Sequence, residues 1–256
     1  MRRVLGIAAG LSTLLMISPL TAASAADLPV KALPPPVPIC AWCGWYVGLN
    51  LGGSSGDEPA AYFQPLTPGN AAATLHANGG IGGVQLGYNW VQGGFVFGLE
   101  GDLNARNNSA TAVGLPPFPG VAIDVVDITQ TDNWLSTGRV RAGWANDSVL
   151  FYGTGGIAVG EVDHSYTQRV TNNPAGSLLT SDGVVRTGWT AGGGVEWMFW
   201  KGVSVGVEYL HVDLGKSTTV QPVTVVSGGV TFSPSSTTFN NRSDIARVKL
   251  NWHFGG

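Results

Sequence analysis

From Trp45 onward, apolar and polar positions alternate with a period of two, and no segment carries a sustained 3.6-residue repeat. In "GWYVGLNLG", Trp45, Val47, Leu49 and Leu51 share one side, while Tyr46, Gly48, Asn50 and Gly52 share the other. "GVQLGYNW" sets Val84, Leu86, Tyr88 and Trp90 against Gln85, Gly87 and Asn89. "GFVFGLEGDLN" sets Phe95, Phe97, Leu99 and Leu103 against Gly98, Glu100, Asp102 and Asn104. The same period runs through "TGRVRAGWA", "TGWTAGGGVEWMFW", "GVSVGVEYL" and "DIARVKLNWHF". "VLFYGTGGIAVGEV", Val149 to Val162, reads as a strand whose two sides do not separate. The pattern therefore predicts eight strands.

The spacing between them alternates too. Short connections fall at 91–94, 145–148 and 200–202, and long ones at 54–78, 105–131, 164–184 and 215–242. Tight turns at one end and long loops at the other predict an eight-stranded antiparallel up-and-down β-barrel that spans an outer membrane. An even strand number puts both chain ends on the side of the tight turns.

Charge decides which side of the wall faces what. Glu100, Asp102, Arg139, Arg141, Glu196, Glu208, Arg247 and Lys249 all lie on the parity opposite the large apolar residues. A soluble barrel, apolar within and charged without, would scatter charge over its exterior. A lipid-facing exterior cannot, because a Lys or Arg at the bilayer midplane costs about 2–4 kcal/mol. The charges are thus expected in the lumen, where eight strands leave room for side chains and little else. Four acids facing four bases point to a salt-bridged plug; the functional alternative is a narrow conduit lined by some of them. Trp45, Tyr88, Trp90, Trp144, Trp197, Phe199 and Trp252 lie near strand ends on the apolar side, as an interfacial aromatic girdle requires.

The start of the chain has a different character. Arg2 and Arg3, the apolar run "VLGIAAGLSTLLMI" and the small residues of "TAASA" form a secretory signal pattern over 1–25. "DLPVKALPPPVPI" holds five prolines, so 26–43 reads as an extended periplasmic tether before the barrel of 44–256. Of 13 basic residues, two lie in the signal, leaving 11 against 16 acids. That balance argues against nucleic acid as a partner.

Several short motifs invite chemistry and lack its context. Cys40 and Cys43 are spaced C-x-x-C, but a strand follows where a thioredoxin-type site needs a helix, and zinc would need a second ligand pair. An exported chain meets an oxidising compartment, so a local disulfide is the expectation. "GTGGIA", Gly153 to Ala158, fits a dinucleotide fingerprint but has no helix after it. "GGSSG" places Ser54 in a G-x-S-x-G frame without the strand-to-helix elbow. The glycines of the first fit better as places where neighbouring aromatics lie flat on the sheet, and the second, followed by "DEPAAYFQPLTPG" with its three prolines, reads as a mobile loop with Ser54 an ordinary serine. His76 and His164 are expected in or beside long loops, His211 at the outer end of the seventh strand and His253 at the periplasmic end of the eighth. No cofactor or metal site is expected.

"AADLPVKALPPPVP", "WCGWYVGLNLGG", "GGIGGVQLGYNW", "FVFGLEGDL", "GRVRAGWA", "LFYGTGGIAVG", "EYLHVDLG" and "ARVKLNWHF" together resemble the small outer-membrane barrels of alphaproteobacteria, the RopB-type group, and more widely the opacity-protein and OmpA-like barrels. The resemblance covers the whole mature chain. It implies an abundant surface barrel in the outer membrane, inserted by the assembly machinery, in contact with membrane lipid and lipopolysaccharide and with host or environmental ligands at its loops. Porin activity and haem binding have been proposed for relatives. Two features depart from the pattern: the cysteine pair, and Gly255-Gly256 after Phe254, where such barrels end on an aromatic residue. The functional expectation is a non-enzymatic barrel acting in envelope structure and surface interaction through four long extracellular loops. The alternatives are a narrow porin and a barrel enzyme acting on lipid A.

Overall fold

The computed structural model describes residues 40–63, 70–115, 125–170, 173–221, 225–227, 230–232 and 234–254. The signal and proline-rich segments, and Gly255-Gly256, lie outside the described residues. Eight strands close into one barrel: β1 (Gly44–Phe63), β2 (Asn70–Gln92), β3 (Phe95–Leu115), β4 (Val125–Ala145), β5 (Val149–Val170), β6 (Asn173–Trp200), β7 (Val203–Gln221) and β10 (Ser235–His253). Neighbours in sequence pair antiparallel, and β10 returns to pair with β1. Two three-residue strands, β8 (Val225–Ser227) and β9 (Val230–Phe232), make a small hairpin of their own between β7 and β10.

The tight connections all lie at one end. β2 and β3 are joined by Gly93-Gly94, whose φ values of 60° and 86° are those of a type I′ hairpin turn. After β4, the Asn146 side-chain oxygen accepts hydrogen bonds from the Ser148 and Val149 amides at 3.0 and 2.7 Å. This asparagine closes its turn as an Asx turn does.

Every strand carries an outward apolar stretch of nine residues or a little less, starting at this end. On β1 it runs through Trp45, Val47, Leu49 and Leu51, on β3 through Phe95, Phe97, Leu99 and Leu103, and on β10 through Trp252, Leu250 and Val248. No Asp, Glu, Lys or Arg faces outward within the band formed by 45–53, 82–90, 95–103, 136–144, 151–159, 189–197, 203–209 and 246–252. The span suits tilted strands crossing a hydrocarbon layer.

The strands do not stop at the edge of that band. The segments expected as long loops are largely strand: β1 continues to Phe63 and β2 resumes at Asn70, while β5 reaches Val170 and β6 begins at Asn173. The physical reason is that sequence alternation reports a difference between two environments. Beyond the band both faces can be polar, so Ser, Thr, Asn and Ala fill them and the period fades while the backbone ladder persists. His76 and His164 accordingly sit on β2 and β5, and His211 lies mid-way along β7, not at its end.

The inward face is buried and layered. Nearest the tight turns, Trp42 packs with Val96, Ala145, Leu150 and Tyr152. Above them come the charged residues. Farther along the strands, Ile81, Leu135, Ala158, Val162, Leu210, Val212, Leu214 and Ile245 form an apolar collar. Polar side chains resume beside the collar, where Ser54, Arg106 and Asp132 stand opposite Ile245, Ile81 and Val162, and continue farther along the strands with Asn108 and His164.

Candidate functional site

The inward charges converge on one cluster. Period two sends them to the same face of their strands, and barrel closure brings β3, β4, β6, β7 and β10 around one axis. The Arg139 guanidinium meets Asp102 Oδ2 at 3.0 Å and Glu208 Oε2 at 3.2 Å, and also pairs with Glu100. Arg247 Nη2 lies 2.6 Å from Glu208 Oε1 and 2.9 Å from Asp102 Oδ2. Lys249 Nζ donates to Glu100 Oε2 at 2.7 Å and sits 3.4 Å from Glu208 Oε2. Arg141 Nη1 joins Glu196 Oε1 at 3.0 Å and Glu100 Oε2 at 3.3 Å. All eight predicted residues therefore share a single network.

Neutral groups complete it. Tyr46 Oη donates to Glu100 at 2.6 Å, and Tyr152 Oη to Glu208 at 2.9 Å. Thr137 serves Asp102, while Ser204 and Asn251 serve Glu196. The Arg141 guanidinium lies over the Tyr46 and Tyr152 rings, 5.0 and 4.7 Å from their centroids, within cation–π range of both. Each tyrosine has room because a glycine lies beneath its ring: a Cβ at Gly87 would run into Tyr46, and one at Gly194 into Tyr152. Lys249 is fully buried, which is tolerable only because its charge is paired and hydrogen-bonded.

The two tyrosines were not foreseen as part of this site. Tyr46 carried a signal, being an aromatic on the parity of Gly48 and Asn50. Tyr152 carried none, because the two sides of its strand do not separate by sequence.

The turn before β1 closes one mouth. Cys40 and Cys43 form a disulfide, and the Cys43 amide donates to the Cys40 carbonyl at 3.3 Å. Between them Trp42 turns into the barrel and is 3% exposed. Its Nε1 donates to the Asn146 carbonyl at 3.0 Å, its own carbonyl accepts from Asn89 Nδ2 at 3.0 Å, and its ring meets His253 edge-on. This tryptophan, which composition groups with the tether, packs with the barrel.

The remaining candidates fall elsewhere. Ser54 faces inward and accepts hydrogen bonds from Arg106 and Asn108 at 2.8 and 3.0 Å. Gly153 to Ala158 lies within β5. His164 stacks on Phe239 with centroids 4.0 Å apart, and burial lowers its pKa to about 4. Trp45, Tyr88, Trp90, Trp144, Trp197, Phe199 and Trp252 all sit toward the tight-turn end with their rings outward. Trp189 and Tyr209 face outward at the opposite edge of the band.

Comparison with known proteins agrees with this geometry. The family model for the outer membrane protein beta-barrel domain matches residues 13–254. The chain belongs to that family. The 31 kDa outer-membrane immunogenic protein of Brucella melitensis is 31% identical over 245 residues, 91% of this chain and 94% of the relative. The 22 kDa outer membrane protein of Rhizobium leguminosarum bv. viciae is 28% identical over 193 residues, 74% of this chain and 69% of the relative. Among solved structures, OprG of Pseudomonas aeruginosa aligns with a TM-score of 0.49 at 11% identity, covering 83% of this chain and 97% of that one. The protein is a barrel of the cell outer membrane. In such barrels the tight turns are periplasmic, so Trp42 stands at the periplasmic mouth and the long hairpins point outward.

Proposed function

We propose that the protein is a closed, non-enzymatic surface barrel whose interior acts as a strut and whose extended hairpins carry out its contacts with the surroundings. The observation that carries this reading is the packed lumen: stopper, charge network and apolar collar follow one another along the axis. Each of the four bases of this network is already paired with carboxylates inside it. The relatives' description as immunogenic supports display at the surface. The non-enzymatic reading is supported by the placement of the suggestive residues: Ser54 faces inward, while His211 faces outward and is bonded to Asp244.

Planar-bilayer recording of the refolded barrel tests this. The expected result is no reproducible conductance step from protein verified as folded. Steps whose ion selectivity changes in Arg139→Gln would replace this reading with that of a narrow porin.

A further inference from the structure

A second group of charged and aromatic side chains lies on the outside of the wall, on β6, β7 and β10, immediately above the apolar band. Asp244 Oδ1 accepts hydrogen bonds from Tyr209 Oη and His211 Nδ1, both at 2.7 Å. Arg242 Nε donates to Asp213 Oδ2 at 2.9 Å. The Trp189 ring lies 5.4 Å from that of His211. The Arg242 and Asp244 side chains are 59% and 52% exposed, and His211 is 34% exposed.

The register makes this one surface. Asp244 is opposite His211 and Arg242 opposite Asp213, while Asp213 is opposite Trp189 on the other side. A bulge interrupts the regular ladder just beyond: Gly215 has φ of 78°, its amide is held by Asp213 Oδ1 at 2.8 Å, and the β7–β10 register shifts between Asn240 and Arg242 before pairing resumes at Asn240 and Lys216. Bulges of this kind re-aim side chains. The surrounding outward positions are small: Ala191, Gly193, Ala246 and Gly53. Trp189 and Tyr209 stand above this shallow floor about half exposed, with the Trp189 ring against His211 on one side.

At this height the surroundings are the headgroups of the outer leaflet. Directly beneath, Val195, Val207 and Val248 continue into the apolar band, so a lipid whose chains lie on those valines places its headgroup on this cluster. The chemistry presented is specific. Arg242 uses Nε internally and keeps both terminal nitrogens for a planar, two-point contact with phosphate. Asp244 Oδ2 and His211 Nε2 offer an acceptor and a ring nitrogen side by side, suited to neighbouring hydroxyl or amide groups. An aromatic face accepts the C–H side of a pyranose ring. We propose that this cluster docks the phosphorylated sugar headgroup of an outer-leaflet glycolipid of the lipopolysaccharide class. The proposal does not depend on whether the lumen conducts.

The test uses the full barrel, refolded in detergent, with rough lipopolysaccharide, its dephosphorylated form and phosphatidylglycerol as probes. Heat-modifiable gel mobility checks folding, which the outward positions leave to the lumen. Arg242→Gln is expected to weaken lipopolysaccharide binding about fivefold to tenfold, the loss of one charge-assisted pair, and to leave binding of the dephosphorylated form unchanged. Trp189→Leu, which keeps the surface apolar, is expected to weaken both glycolipid forms. Equal lipopolysaccharide binding by wild type and both variants overturns the site. Equal affinity for phosphatidylglycerol and lipopolysaccharide overturns the sugar component and with it the proposal.

Discussion

Arg139 illustrates what a single side chain does in this lumen. It touches three carboxylates contributed by β3 and β7, so its removal leaves the four buried acids of the network with three bases, Arg141, Arg247 and Lys249. Breaking a buried ion pair in this way costs about 3–5 kcal/mol. Arg139→Leu is expected to lower the unfolding free energy of the barrel, read from urea unfolding, by that amount, while a substitution of the outward Val140 by Ile changes it little; equal effects would count against a network that carries stability. His164 makes a pH prediction. Its pKa is depressed to about 4 by burial against Phe239, whereas an unfolded histidine titrates near 6.5. The native neutral form is thus fully stabilising above about pH 6.5 and loses ground as pH falls towards 4. Ring-carbon NMR should show His164 still neutral at pH 5.5, and a titration midpoint above 6 would refute the buried placement.

At the scale of an element, the Cys40–Cys43 turn is a fastening for Trp42. A loop this short restricts the unfolded chain very little, so the disulfide adds little to global stability by chain entropy. Its effect is local. Replacing both cysteines by serine should leave the unfolding midpoint nearly unchanged but make Trp42 accessible, seen as increased acrylamide quenching against a Trp42→Phe background correction. Unchanged quenching would mean that Asn89, Asn146 and His253 hold the ring unaided. Other elements show where alternation informs and where it does not. On β1, β3, β7 and β10 the inward and outward sets were legible because one face meets lipid and the other a charged lumen. The upper halves of β1, β2, β5 and β6 were not legible, because a ladder flanked by water and a polar interior needs no contrast between its faces.

At the scale of the whole molecule, the layers along the axis separate what folds the barrel from what it presents. Stopper, network and collar lie within or beside the membrane band, and the long hairpins rise beyond them. Shortening the β1–β2 hairpin by joining residue 56 to residue 77 through a two-residue turn should preserve a heat-modifiable barrel, because Ser55 still pairs with Asn78 below the cut. Failure to fold would show that the upper ladder, and not the lumen, sets the closure.

The sequence by itself determined the strand count, the antiparallel order, the position of the tight turns and the side of the wall on which every one of the eight charges lies. Those properties depend on period two and on the cost of exposing charge to hydrocarbon, and both act residue by residue. Only the tertiary structure decided that the charges form one network, that Arg141 lies over the Tyr46 and Tyr152 rings, that Trp42 fills the mouth, and that Trp189, His211, Arg242 and Asp244 meet on one outer face. These are relations between strands far apart in the chain. They depend on register and on closure of β10 against β1, and a period read along one strand carries no information about its height against the next.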